Sequence, residues 1–254
     1  MNWLRKAILA MVHAAGYEMS RRRPRLESPA FRDFEDDFVE LCRRVGPYTM
    51  TSPAKLYALY GAVRHLVGQR TPGAFVECGV WRGGSSMLMA LVLRAMGETT
   101  RDLYLYDTFA GMAQPAGVDV DVEGVPARAE WDRQRKSTHN QWCYASREDV
   151  VANMRTTQYP DERIHCVQGK VEETLAQRVP DAVALLRLDT DFYASTAAEL
   201  RHLYPRLVSG GILIIDDYGF WRGQRKAVDE FFANADSAPF LVRVDDSCRV
   251  AVKP

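Results

Sequence analysis

Two apolar runs of this chain end in paired acids. In "LLRLDTDFY" the acids are Asp189 and Asp191; in "GILIIDDY" they are Asp216 and Asp217. Four carboxylates gathered at the ends of buried segments repel one another unless a cation stands among them. Hard oxygen ligands in that number suit Mg2+, Ca2+ or Mn2+, and no His/Cys set points to zinc. Helix capping accounts for one acid in each run, Asp191 ahead of "YASTAAEL" and Asp217 ahead of a turn. It does not account for two. A divalent cation lowers the pKa of an aliphatic alcohol and orients its oxygen. A carboxylate outside the metal shell can then take the proton. The four acids read as three that hold a cation and a fourth that acts as base.

A second constellation lies upstream in "FVECGVWRGGSS". Gly79, Gly83 and Gly84 are spaced G-x-x-x-G-G, which is neither the dinucleotide fingerprint nor a P-loop. Pyrophosphate is therefore weakly supported, and a nicotinamide dehydrogenase is disfavoured. Glu77, just before the glycines, repels phosphate but accepts from an ammonium group. Asp107 closes the next strand, where an acid suits the hydroxyls of a ribose. A ribose and an amino-acid zwitterion without phosphate describe S-adenosylmethionine.

The elements that must position these residues follow from periodicity. Helices are expected over "FRDFEDDFVELCRRV" and "SPAKLYALYGAVRHLV", the latter capped by Thr51 or Ser52 with Pro53 in its first turn. Strands then alternate with helices. The strands are "GAFVECG", "DLYLYD", "RIHCVQG", "VALLRLD" and "GILIIDD". The helices are "SSMLMALVLRAMG", "REDVVANMRTTQ", "VEETLAQRV", "ASTAAELRHLYPRL" and "QRKAVDEFFANA". A hairpin of "FLVRV" and "CRVAVK" closes the chain. Such alternation makes a mostly parallel sheet with helices on both faces, a Rossmann-like α/β fold with a C-terminal antiparallel hairpin. Right-handed crossovers put every strand C-terminus on one edge, where ligands bind. Glu77, Asp107, Gln168 with Gly169, Asp189, Asp216 and Asp217 converge there. Residues 1–70 read as a helical extension and cap, and 71–254 as the catalytic domain. The aperiodic stretch at about 110–145 reads as a lid.

Composition narrows the partners. Lys plus Arg and Asp plus Glu balance at 33 each, so nucleic acid is disfavoured. Five cysteines without a C-x-x-C pair fit a reducing cytoplasm. The start, "NWLRKAILAMVHAAGYEMSRRRPR", is basic and amphipathic. Its apolar stretch falls short of the about 20 residues that span a bilayer, and no signal-peptide cleavage site follows. It is expected to pack on the body or a partner subunit, or to touch a membrane surface weakly.

The blocks "YTMTS", "FVECGVWRGGSS", "LYLYDTFAGM" and "LLRLDTDFYASTAAELRHLYPRLVSGGILIIDDY" resemble the macrocin, mycinamicin and novobiocin sugar O-methyltransferases, over about residues 45–235. The resemblance implies a class I enzyme that uses S-adenosylmethionine and Mg2+, usually as a homo-oligomer. By motif position, Asp189, Asp216 and Asp217 match the metal ligands and Asp191 the general base. Glu77, Gly79, Ser85 and Asp107 match cofactor contacts, with Thr49 and Met50 bordering the same pocket. His139, in the lid, is a further candidate for reaching the acceptor. The implied acceptor is a sugar hydroxyl on a glycosylated natural product or on a bacterial glycan or glycolipid. The alternative is a catechol or other phenol.

Overall fold

The computed structural model describes residues 33–233, 235 and 237–254. The N-terminal amphipathic segment and the first residues of the expected "FRDFEDD" helix lie outside them. The chain divides into two compact units at Val39/Glu40. The described part of the first holds the opening turn of helix α1 (Asp36–Val45). The second holds everything that follows.

Within that second unit, α2 (Pro53–Gly68) is capped by Ser52, whose hydroxyl accepts from Lys55 N–H. It packs against the following helix and the central strands. The body therefore begins well before residue 70, the boundary expected from the change of periodicity. Next come β1 (Ala74–Cys78), α3 (Gly84–Ala95), β2 (Leu103–Asp107), α4 (Ala127–Gln134), α5 (Arg147–Arg155) and β3 (Ile164–Gln168). After them lie α6 (Val171–Thr174), β4 (Val183–Leu188), α7 (Tyr193–Leu203), β5 (Leu207–Ile215), α8 (Arg222–Ala233), β6 (Val242–Arg243) and β7 (Arg249–Val252). The sheet runs β3-β2-β1-β4-β5-β7-β6. The first five strands are parallel, and β7 lies antiparallel to both β5 and β6. The expected Rossmann-like sheet with its closing hairpin is present.

Strands β1 and β4 are apolar but for Glu77 and Arg187, because helices cover both faces. Every residue of β1 and β4 is buried. Three expectations shift. Helix α7 ends at Leu203, because Pro205 cannot continue it and constrains the residue before it. Strand β5 therefore starts at Leu207 rather than Gly211. Helix α6 is one turn, not the whole of "VEETLAQRV". The 110–145 stretch is a folded flap containing α4, with isolated bridges Val120↔Pro126 and Arg135↔Asn140.

Gly79 fixes how β1 turns away over the end of β4. Its φ is +82°, and a β-carbon there would come within 1.9 Å of the Asp189 carbonyl oxygen. Backbone cannot yield as a flexible side chain would. Gly79→Ala should cost at least about 2 kcal/mol, combining the left-handed penalty with overpacking. A lowered urea midpoint at unchanged m-value checks this.

Candidate active site

Strand ends β1, β4 and β5 deliver Glu77, Asp189 and Asp216 to one place. Among them runs a residue that sequence reasoning passed over. Arg187, inside apolar β4, is 2% exposed. Its Nη1 donates to Glu77 Oε1 at 2.7 Å and to Asp189 Oδ2 at 2.6 Å. Its Nη2 donates to Asp216 Oδ1 at 2.5 Å and to Thr51 Oγ1 at 3.1 Å. A buried charge needs such partners, since unpaired it costs several kcal/mol. Lys55, from the first turn of α2, adds a second cation: Nζ lies 2.6 Å from Asp216 Oδ2 and 3.7 Å from Asp217 Oδ1. Burial lowers the pKa of Lys55, and Asp216 and Asp217 more than reverse that.

Asp216 thus has both oxygens engaged by cations. The three carboxylates left over come together instead: ligand oxygens of Asp189, Asp191 and Asp217 all lie within 4.8 Å of one another. This differs from the expected grouping of Asp189, Asp216 and Asp217, and both oxygens of Asp216 are held by Arg187 and Lys55. Burial pushes Asp189 well above the usual carboxylate range, against the pull of Arg187. Burial and the neighbouring Asp191 and Asp216 do the same to Asp217. Asp191 is pushed up to about 7, chiefly by burial, while a hydrogen bond from Asp217 opposes the shift. Arg187 on Asp189 and Lys55 near Asp217 offset only part of this negative charge. The donor set fits a hard divalent cation.

These groups open on a cavity of about 320 Å3, also lined by Thr49, Met50, Gly79, Ser85, Trp142 and Trp221. A smaller cavity of about 60 Å3 adjoins it, between Asp107, Gly111, Gly169 and Thr190. Gly79 and Asp189 border both.

Several expected contacts are placed otherwise. Both oxygens of Glu77 are taken, Oε1 by Arg187 and Oε2 by the Ser86 hydroxyl. It serves Arg187 before any ammonium ligand. Asp107 accepts from Val80 N–H and Trp81 N–H through Oδ2 and from Phe109 N–H through Oδ1. Its carboxylate shapes the glycine turn and keeps limited capacity for a ribose. Gln168 is exposed at the end of β3, and its neighbour Gly169 lines the smaller cavity instead. His139 does not reach the carboxylates. It stacks on Tyr144 at 4.4 Å in a separate cleft with Trp131 and Arg135.

A catalytic-looking acid cluster beside a cofactor-sized crevice narrows the class, and comparison with known proteins decides it. Residues 6–252 match the family described as macrocin O-methyltransferase (TylF). The chain belongs to that family. It is an S-adenosylmethionine-dependent O-methyltransferase. Demethyldecarbamoylnovobiocin O-methyltransferase of Streptomyces niveus is 34% identical over 198 residues, 78% of this chain and 72% of that protein. Mycinamicin III 3''-O-methyltransferase of Micromonospora griseorubida is 28% identical over 224 residues, 83% of each chain. The solved O-methyltransferase NovP superposes with a TM-score of 0.70 at 32% identity, covering 81% of this chain and 82% of its own. Among the described residues no helix is long and apolar enough to cross a membrane.

Behind the acids stands Glu199 of α7, fully buried. Its Oε1 accepts from the Thr190 hydroxyl at 2.8 Å, and its Oε2 has no partner among the described residues. Burial raises its pKa to about 8, opposed by that hydrogen bond. A carboxyl raised from 4.5 holds its proton in the folded state where the unfolded chain has lost it. Its contribution is therefore lost as pH rises from about 4.5 to about 8. Glu199→Gln should remove that decline, which approaches about 1.4 kcal/mol per pH unit for one group. Urea denaturation of both proteins across that range checks it. Arg187→Met should cost about 3–5 kcal/mol, because it strands the buried carboxylates of Glu77 and Asp216 and the half-buried one of Asp189. Arg187→Met should also lose more stability at pH 8 than at pH 5, where Glu77 and Asp189, both raised by burial, take up protons.

Proposed function

We propose that this enzyme methylates a sugar hydroxyl, on a glycosylated natural product or a bacterial glycan or glycolipid, and that it requires Mg2+ or a similar hard cation. The observation that carries the reading is the half-buried cluster of Asp189, Asp191 and Asp217, which opens on the same cavity as Trp142 and Trp221. Carboxylates bind hydroxyls and a hard cation, and indole faces suit the C–H face of a sugar ring. The names of the relatives support the acceptor class: they act on novobiocin, tetracenomycin and mycinamicin precursors, one of them on a rhamnosyl group.

Asp189 and Asp217 would hold the cation. Asp216 completes the set if Lys55 releases its Oδ2, which leaves Asp191 free as the base. The bound cation supplies a lowered hydroxyl pKa. The residues of the chain do the rest. Asp191 takes the hydroxyl proton as the oxygen attacks the donor's methyl carbon, and the C–S bond breaks to leave neutral S-adenosylhomocysteine. An acid raised to about 7 by burial is well matched to accept a proton near neutral pH. Arg187 holds Asp189 in place throughout, and the flap keeps water from the sulfonium. Homo-oligomerisation, and contact of residues 1–22 with a partner subunit or a membrane surface, accompany this reading and rest on the sequence alone.

Labelled S-adenosylmethionine, offered with sugar-bearing and catechol acceptors with and without chelator, tests it. Methyl transfer to a sugar that stops in chelator is expected. Transfer to catechols alone would replace the sugar by a phenol. Asp191→Asn should keep its affinity for Mg2+ and donor but lose about 10²–10⁴-fold in turnover. Asp217→Asn should bind Mg2+ more weakly and regain activity as Mg2+ is raised. Recovery of Asp191→Asn by added Mg2+ would make Asp191 a ligand instead.

A further inference from the structure

Asp191 sits in a conformation that a residue with a β-carbon disfavours. Its φ is +68°, and Phe192 N–H donates across it to the Thr190 carbonyl at 2.7 Å. A bond from one residue back to the second before it, around a positive φ, marks the strained form of the γ-turn. Such conformations persist only where the surroundings over-determine them.

Here the restraint comes from far away in sequence. Helix α7 starts at Tyr193 without a side-chain cap from Phe192, its own N-cap residue. Asp119, in the flap, supplies one. Its Oδ1 accepts Tyr193 N–H at 2.8 Å, and its Oδ2 accepts Ala116 N–H at 2.7 Å. Asp119 is 1% exposed. Its carbonyl accepts Ala127 N–H, where α4 begins. The fit extends to the other acid-bearing loop. A β-carbon on Gly223 would come within 1.9 Å of Asp119 Oδ1, and Arg222 N–H donates to the Val120 carbonyl at 2.9 Å. Phe192 packs on Trp221 at 5.6 Å and on Trp142 of the flap at 6.1 Å.

We propose that Asp119 is a positioning residue for methyl transfer: by capping Tyr193 it holds the strained turn that aims Asp191, so that the base is in working geometry only while the flap is seated. This rests on Asp191 acting as the base. One buried carboxylate then makes acceptor enclosure and base alignment a single event.

Hydrogen exchange by mass spectrometry on the full-length protein tests the link without an acceptor. In Asp119→Ala, peptides spanning 189–196 and 112–128 should both exchange about 10-fold faster, while β1 and β4 keep their protection. Asp119→Asn retains an acceptor oxygen for Tyr193 N–H and should stay within about 3-fold of wild type. Unchanged exchange over 189–196 in Asp119→Ala overturns the proposal. So does a rise spread through β1 and β4, which would make Asp119 a general structural residue. With any acceptor the wild type methylates, Asp119→Ala should lower kcat about 10–100-fold at unchanged donor KM. In the Asp191→Asn background the same change should cost less than about 2-fold, since a residue acting through Asp191 has nothing left to align. Additive losses overturn it. A wild type that methylates no sugar defeats the functional reading alone, and the exchange result stands apart from it.

Discussion

The site is built around one buried guanidinium. Arg187 joins the ends of β1, β4 and β5 by reaching Glu77, Asp189 and Asp216 at once. Only a planar fork of five donors could serve three carboxylates and the Thr51 hydroxyl from one position, and a lysine could not. Its burial is tolerable because every neighbour is an acceptor. The acids in turn could not be gathered without it. The charge balance therefore dictates what remains open. Two cations, Arg187 and Lys55, stand among five acids, Glu77, Asp189, Asp191, Asp216 and Asp217, and leave the group short of positive charge.

In the proposed mechanism that shortfall lets one crevice attract a cation and retain a base. The contact between Asp217 and Asp191 raises the pKa of Asp217 and lowers that of Asp191. In the proposed mechanism a cation at Asp189 and Asp217 would favour the ionised form of Asp191 beside it. Lys55 enters the same balance, since its hold on Asp216 competes with any metal for that carboxylate. Its own placement is fixed by the Ser52 cap, and Ser52 is tied to Asp245 of the terminal hairpin at 3.0 Å. The closing β6–β7 pair thereby helps set the electrostatics of a site on the far side of β5.

How far the sequence announced this depends on distance along the chain. The parallel sheet was legible because apolar runs alternate with helical periods. The four acids were legible because each ends such a run. Arg187 carried a signal that went unread: an arginine within "VALLRL" is tolerable only if several acids await it. Lys55 carried none, because its role depends on how α2 packs against the strand ends. The orientation of His139 was illegible for the same cause. A histidine in an aperiodic stretch has no register to say which way it faces, and the flap turns it toward Tyr144. Glu77 and Asp107 were correctly placed at strand ends, yet their first duties are to Arg187 and to the glycine turn. Position alone cannot tell a ligand contact from the framework that makes the contact possible.

The flap shows where such framework duties lead. Its residues look like a polar insertion, yet Asp119, Met112 and Trp142 bind it to the turns that carry Asp191 and Asp217. A strained γ-turn is unstable by itself, and a flap with so few regular bonds is weakly held by itself. Each supplies what the other lacks: the flap caps the turn, and the turn with its helix gives the flap a buried anchor. In the proposed mechanism an acceptor that packs on the flap would add to the hold on both. Binding energy from parts of the acceptor far from the reacting hydroxyl can then be spent on orienting the base, which is the use of remote contacts that raises turnover rather than affinity.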